Sequence, residues 1–277
     1  MNRITDVLRQ HRETLRTSPT PQLDTELLVA HGLQIERVDL YREPKRSLSE
    51  IEMAQIDRLI NARRAGRSIA QIIGRTEFYS IDLAINEHVL APRADTEILV
   101  EKAIEIIGER PATVIDIGTG SGAIAIALAK HCNKAQVFAL DLSDKALDIA
   151  DHNMKRLSLP NLSMIRGDWL DALDNQCADM IVSNPPYIKS DDEHLATIGT
   201  KYEPRAALDG GNDGLQAYRR IIPTAIKVLK SDGVICLEHG YDQAESVSTL
   251  LRDNGLCDIE IVRDLNGHNR VCVGRLR

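Results

Sequence analysis

Residues 184 to 187 read Asn-Pro-Pro-Tyr and follow two apolar β-formers, Ile181 and Val182, and a serine, Ser183. Proline has no backbone N–H, fixes its own φ and pushes the residue before it into extended conformations. Asn184 and Pro185, each followed by a proline, are therefore both held extended, with their carbonyls aimed in fixed directions. Such a frame suits a planar substrate carrying an NH2 group. The Asn184 side-chain oxygen and the Pro185 carbonyl can accept its two hydrogens, Pro186 stiffens the turn, and the Tyr187 ring can stack on its face. A turn stiffened by proline for its own sake is the bland alternative, but four such residues at one strand end seldom coincide by chance.

A second stretch, DIGTGSGAIA over residues 116–125, sets Gly118, Gly120 and Gly122 between a β-type run and a helical one. Glycines there remove side chains where the backbone turns sharply and a ligand must come close to it. Some 20 residues on, Asp141 closes the next β-run, where a carboxylate can accept hydrogen bonds from both hydroxyls of an adenosine ribose. GTGSGA also fits a GxGxxA dinucleotide pattern, so these residues alone leave NAD and S-adenosylmethionine (AdoMet) both open. Asp168 and Trp169 follow the third β-run and could meet an adenine edge and face, although a lone tryptophan is as readily a core residue.

The elements that must carry these residues show in the rhythm of the chain. From Ala112 onward, strand-like runs (TVIDIG, QVFAL, LSMI, DMIVSN, VICLEHG) alternate with helical ones. This predicts an α/β fold with a doubly wound, mostly parallel sheet and helices on both faces. Asn266-Gly267 between IEIV and RVCVG predicts a tight hairpin and an antiparallel last strand. Residues 77–90 read as a hairpin of FYSI and LAIN with its turn near Asp82, and Asp95 is placed to cap a helix from Thr96 to Ile107. Up to Gly74 the apolar spacing of Ile51, Ile56, Leu59 and Ile60 is helical, and Ser47/Glu50 or Ser49/Glu52 offer two registers of a capping box. A small all-α N-terminal domain is expected. Arg63, Arg64 and Arg67 form either a partner-binding patch or a set of charges complementing a helix C-terminus.

Composition narrows the partners. Of the 34 Lys+Arg and 41 Asp+Glu, residues 1–75 hold 13 and 10, leaving 21 and 31, so the net charge of −7 divides into +3 and −10. An acidic main body argues against a broad nucleic-acid surface. Apolar runs such as Ile124–Ala129 are far too short for a membrane span, and MNRITDVLRQHRE lacks the apolar core of a secretory signal, so a cytoplasmic protein is expected. Five scattered cysteines without a CxxC pair suggest neither disulfides nor zinc.

Taken together, Asp116–Gly122 and Asn184–Tyr187 resemble the AdoMet-dependent methyltransferases that modify NH2 groups on planar substrates. The NPPY tetrapeptide is shared with adenine-methylating DNA enzymes. Further segments, Pro92–Glu97, Tyr202–Leu208, Gly210–Leu215 and Glu238–Gly240, make the chain similar to the release factor glutamine methyltransferases over nearly its whole length. The resemblance implies a helical substrate-docking domain (1–75), a β-hairpin linker (76–90) and a Rossmann-like AdoMet-dependent methyltransferase domain (91–277). It implies AdoMet as cofactor, no metal, and as target the glutamine of the Gly-Gly-Gln motif of bacterial peptide chain release factors. By the same likeness Gly118, Thr119, Gly120, Ser121, Gly122, Asp141, Trp169 and Asn184 contact AdoMet, while Asn184, Pro185, Pro186 and Tyr187 hold the glutamine, with Asn184, Pro185 and Tyr187 catalytic. His239 is a lesser candidate for a base, because a nitrogen under attack becomes acidic and can lose its proton to water. Arg93, Asp95, Glu203 and Arg205 either anchor lids or touch substrate. The rivals are a methyltransferase acting on a ribosomal-protein glutamine or on adenine, an NAD-linked oxidoreductase, and a non-catalytic AdoMet-binding protein.

Overall fold

Of the two capping-box registers, the structure takes the second. The Ser49 hydroxyl accepts from the Glu52 N–H at 3.3 Å while the Glu52 carboxylate accepts from the Ser49 N–H at 2.8 Å, which starts a helix over Glu50–Arg64. In this computed structural model, which describes residues 2–171, 173–197 and 200–277, the chain divides into two units, Met1–Arg75 with Ala196–Tyr202 and Thr76–Leu195 with Glu203–Arg277. The first is helical: α1 (Ile4–Thr14), α2 (Pro21–Leu33), α3 (Asp39–Arg42), α4 (Glu50–Arg64) and α5 (Ile69–Ile73). Its core is Ile4, Val7, Leu28, Val29, Leu40, Ile56 and Ile60. The three arginines singled out in the sequence separate here. Arg63 is buried, donating to Asp24 at 2.7 Å and to the Arg67 carbonyl at 3.0 Å, while Arg64 and Arg67 face solvent, Arg67 lying 5.4 Å over the Tyr202 ring.

A hairpin follows, β1 (Arg75–Phe78) and β2 (Ile81–Ala84), all but its first residue in the second unit. Its turn is at Tyr79-Ser80, not near Asp82, with both residues at positive φ (50° and 56°), the conformation that matches the twist of a two-residue hairpin turn. No strand continues to residue 90. Asp95 does not cap the next helix. A short 3-10 turn (Ala94–Thr96) leads into α6 (Glu97–Ile107), and the Asp95 carboxylate instead pairs with Arg270 at 2.9 Å.

There follow β3 (Ala112–Ile117), α7 (Ala123–His131), β4 (Ala135–Asp141), α8 (Asp144–Leu157), β5 (Leu162–Arg166), β6 (Ala178–Ser183), α9 (Gln216–Val228), β7 (Leu229–Glu238), α10 (Ala244–Asp253), β8 (Cys257–Arg263) and β9 (Asn269–Arg275). These strands form one seven-stranded sheet ordered β5-β4-β3-β6-β7-β9-β8, parallel except for β9, which runs antiparallel to both its neighbours. Strands β3 and β6 are near-continuous apolar runs because helices cover both faces of the sheet. After β3 the chain builds outward through β4 and β5, then returns to add β6 on the other side of β3. The switch point of the topology therefore lies between the carboxyl ends of β3 and β6, where open α/β sheets bind ligands. Among the described residues no helix is long and apolar enough to cross a membrane.

Candidate active site

Register fixes what meets at that edge. Ile117 pairs with Leu140 and with Ser183, and Ser183 pairs with Leu237. The residues that come next, Gly118, Asp141, Asn184 and Glu238, therefore leave the sheet side by side. Antiparallel β9 pairs Val271 with Glu238, which brings Arg270 to the same edge from the opposite direction.

The glycine loop turns with Gly118, Gly120 and Gly122 all at positive φ (68°, 56° and 82°). Space separates their roles. A Cβ on Gly122 would meet Ile126 Cδ1 at 3.0 Å and Ala150 Cβ at 3.2 Å, so this glycine lets α7 and α8 pack closely, whereas one on Gly118 would stand in open space. Buried Asn153 holds the loop from below, donating to the Ser121 carbonyl at 3.0 Å and bonding both backbone groups of Ala84. Thr119 turns its hydroxyl inward and donates to Asp116 at 2.6 Å. Asp141 accepts from the N–H groups of Gly120 and Ser143, each at 2.9 Å, and a carboxylate with about four lone-pair sites keeps two for ribose hydroxyls. Asp116 is fully buried beneath the loop, pushed up to about 7 by desolvation, and its Oδ1 has no hydrogen-bond partner among the described residues. Left-handed glycines under open space, a carboxylate with spare acceptor capacity and an unpartnered buried oxygen fit a ligand with a ribose and a cationic portion. Trp169 is half-buried with φ 55° and packs against the core, and Asp168 is drawn to Arg220 at 2.9 Å.

At the neighbouring strand end, Asn184 Nδ2 donates to Thr96 Oγ1 at 3.1 Å, which turns Oδ1 away from Thr96. The backbone at Tyr187 and Ile188 is gripped by Leu208, Gly210 and Gln243. Ile188 N–H donates to the Leu208 carbonyl (2.9 Å), Gly210 N–H to the Ile188 carbonyl (2.7 Å), and Gln243 Nε2 to the Tyr187 carbonyl (3.0 Å). The Tyr187 hydroxyl lies 3.4 Å from Glu238 Oε1, and burial together with that carboxylate raises the phenol's pKa. Glu238 is itself buried, pushed up to about 7 by desolvation against the opposing effects of Thr96 and Arg270. His239 is wholly buried with Nδ1 donating to the Gly240 carbonyl at 2.8 Å, and desolvation lowers its pKa and keeps it neutral.

The remaining charged residues quoted from the sequence are all engaged with protein. Arg93 pairs with buried Glu203, whose other oxygen accepts from Ala91 N–H at 3.3 Å; Asp95 pairs with Arg270; Arg205 pairs with Asp209 at 3.0 Å. Sequence reasoning did not single out Thr96, Asp116 or Arg270 as parts of this edge, nor give Glu238 a role. Asp116 lay inside the glycine-loop motif, and Thr96 and Glu238 inside the quoted Pro92–Glu97 and Glu238–Gly240 segments, whereas Arg270 carried no motif.

Profiles described as "Methyltransferase domain" and "PrmC N-terminal domain" match residues 109–269 and 6–74. The chain is 41% identical to the release factor glutamine methyltransferase of Pseudomonas aeruginosa, covering 94% of this chain and 95% of that one. It is 42% identical to the Burkholderia pseudomallei protein of that name (95% of each) and 36% identical to that of Escherichia coli (97% of each). Among solved structures it is similar in fold to a methyltransferase from Pyrococcus furiosus (TM-score 0.56, 16% identity, 79% of this chain and 96% of that one). A ribosomal protein L11 methylase from Lactobacillus delbrueckii is a comparable neighbour (TM-score 0.51, 23% identity, 68% and 82%). With that likeness running end to end, and with the glycine loop and the Asn-Pro-Pro-Tyr turn set side by side at the switch point, the chain belongs to the release factor glutamine methyltransferase family and is an AdoMet-dependent methyltransferase.

Proposed function

We propose that the enzyme methylates the side-chain amide nitrogen of the glutamine in the Gly-Gly-Gln motif of bacterial peptide chain release factors, in the cytoplasm and without direct nucleic-acid contact. The observation that carries this reading is the Asn184 amide, held at one end by Thr96 and left with its oxygen as an acceptor at the sheet edge beside the glycine loop. Gly118 to Gly122, Asp141, Trp169 and Asn184 are assigned to AdoMet. Bound AdoMet supplies an electrophilic methyl group on a sulfonium centre. An amide nitrogen is a poor nucleophile because its lone pair is delocalised, so the residues that hold it in line contribute most. Asn184 Oδ1 and the Pro185 carbonyl accept the two amide hydrogens, an interaction that strengthens as the nitrogen becomes positive. Tyr187 packs on the amide plane, and the proton leaves to water. His239, buried and neutral, forms part of the wall.

The test is incubation of the enzyme and AdoMet with purified release factor, followed by peptide mass mapping. One added methyl on the Gly-Gly-Gln glutamine is expected. Methylation of a ribosomal protein, or of adenine in DNA offered instead, would replace this reading with one of its rivals.

Asp141→Ala should raise the Kd for AdoMet about ten- to a hundredfold, because a charged acceptor is lost while the loop backbone remains. Titration calorimetry decides it, and an unchanged affinity removes Asp141 from the site.

The helical unit is assigned to docking the protein substrate, since it carries the positive share of the charge and exposes Arg64 and Arg67. Reversing both charges (Arg64→Glu with Arg67→Glu) should raise KM for release factor roughly fivefold at low salt and less at high salt, with kcat unchanged. Steady-state kinetics at two ionic strengths read this, and an unmoved KM places the docking surface elsewhere.

A further inference from the structure

An enzyme whose target is one side chain of another protein must meet more of that protein than the residue it modifies, and the strand order says where. The glycine loop and Asp141 leave β3 and β4, so AdoMet is assigned to that half of the edge. A polypeptide that reaches Asn184 to Tyr187 has the other half to lie on, the end of β7 and the start of β9. With strands about 4.8 Å apart, the start of β9 stands about 10 Å from Asn184 along the edge.

Two turns project there. The first runs from Gly240 to Gln243, and Gln243 closes it: its N–H donates to the Gly240 carbonyl at 2.9 Å and its Oε1 accepts from the Gly240 N–H at 3.0 Å. Gln243 Nε2 also holds the Tyr187 carbonyl at 3.0 Å, so this turn is fastened to the Asn-Pro-Pro-Tyr turn itself. Tyr241 within it is nevertheless 65% exposed. The second turn, from Asp264 to His268, joins β8 to β9. Buried Asp264 accepts from the N–H groups of Asn266 and His268, each at 2.9 Å, and pairs with Arg270 at 3.0 Å, while Arg270 also pairs with Asp95. Leu265 on this braced turn is 98% exposed. The His268 ring lies 5.9 Å from that of Tyr241, which joins the two turns into one surface.

We propose that Leu265 and Tyr241 are docking anchors for the protein substrate, taking an apolar patch of the release factor beside its glutamine-bearing loop, on the flank of the site away from AdoMet. A single exposed leucine is ordinary on a protein surface. This one is set apart by its place, on a turn braced by Asp264 and Arg270 and joined through His268 to a second turn that holds the Tyr187 carbonyl. Apolar area on a rigid turn converts to affinity more fully than the same area on a mobile loop, because little freedom is lost on binding. The proposal rests on release factor being the substrate. It adds to the docking assigned to Arg64 and Arg67, and salt separates the two, since screening weakens a charged contact and leaves an apolar one nearly untouched.

Leu265→Ser with Tyr241→Ser, made in the full-length enzyme, should raise KM for purified release factor about tenfold, equally at low and at high ionic strength. The turnover number, AdoMet Kd and Tm should stay as in wild type, because both side chains face water. Leu265→Met with Tyr241→Phe keeps the apolar area and should hold KM within twofold of wild type. A photo-crosslinking residue in place of Leu265 should join the enzyme to release factor under light and not to an unrelated acidic protein at the same concentration. An unmoved KM, a KM shift that vanishes at high salt, or a loss confined to kcat overturns the proposal, the last because the turns would then be bracing the clamp and not binding the partner. The two readings fail differently. A wild-type enzyme that leaves release factor unmethylated overturns the proposed function and this inference with it, whereas methylation by wild type with KM kept in the double serine variant overturns the anchors alone.

Discussion

Asn184→Ala lowers kcat by about two to three orders of magnitude, roughly 3 to 4 kcal/mol of transition-state stabilisation, while AdoMet affinity drops far less. The asymmetry is the content of the prediction. An acceptor on the attacked NH2 gains strength only as charge develops on nitrogen, so its removal is felt in kcat and not in ground-state binding. Alanine here also frees the Thr96 hydroxyl from its 3.1 Å contact without disturbing the strand, because Ser183, not Asn184, ends the ladder and its hydroxyl is tied to the Ile117 carbonyl at 2.8 Å. Single-turnover methylation with saturating AdoMet, beside calorimetry of AdoMet binding, makes the comparison. Near-normal turnover by this variant would remove the clamp from the mechanism.

Gly210→Ala is expected to be nearly as damaging, although residue 210 stands outside every motif assigned to ligand. A Cβ there would lie 2.7 Å from the Pro186 carbonyl oxygen, 2.8 Å from Tyr187 Cα and 2.9 Å from the Gly214 carbonyl oxygen. All three are backbone atoms and cannot rotate aside, so the Asn-Pro-Pro-Tyr turn itself must shift. A displacement approaching 1 Å at the reacting group costs about a hundredfold in rate, and overpacking of this kind costs about 1–3 kcal/mol of stability. Methylation assays should show the first and thermal unfolding the second, with AdoMet affinity largely kept because the glycine loop sits on other strands. A variant with full activity would mean that the 210–215 segment gives way instead of the turn.

These two residues mark what the sequence could and could not convey. The glycine loop, Asp141 and the Asn-Pro-Pro-Tyr turn are local motifs at strand ends, and strand, helix and ligand edge follow from them by rules of short range. The capping box was visible too, but Ser47 and Ser49 have identical spacing to a glutamate, and only the fold selects between them. The hairpin turn at Tyr79-Ser80 was displaced in the reading because neither residue is a glycine or asparagine, although both adopt positive φ. Asp95 carries the chemistry of a helix cap, yet Arg270, 175 positions later in the chain, claims it at 2.9 Å. Thr96 and Glu238 lay inside the quoted Pro92–Glu97 and Glu238–Gly240 segments without a role, because the hydrogen bond from Asn184 to Thr96 exists only once β6 and the turn before α6 are assembled.

The two buried carboxyls of this edge bear on how the protein stands up to pH. Asp116 and Glu238 are each raised to about 7 from ordinary values of 3.8 and 4.5, so across the interval from about 4 to 7 the folded chain binds protons that the unfolded chain has already released. Their contribution to stability is complete at the acid end of that interval and is lost progressively as pH rises through 7. Near neutrality the fold begins to carry two desolvated charges that it would hold more comfortably as neutral acids. This edge is therefore a place where the fold weakens as its carboxyls ionise, and a ligand bearing positive charge over the glycine loop would give part of that stability back.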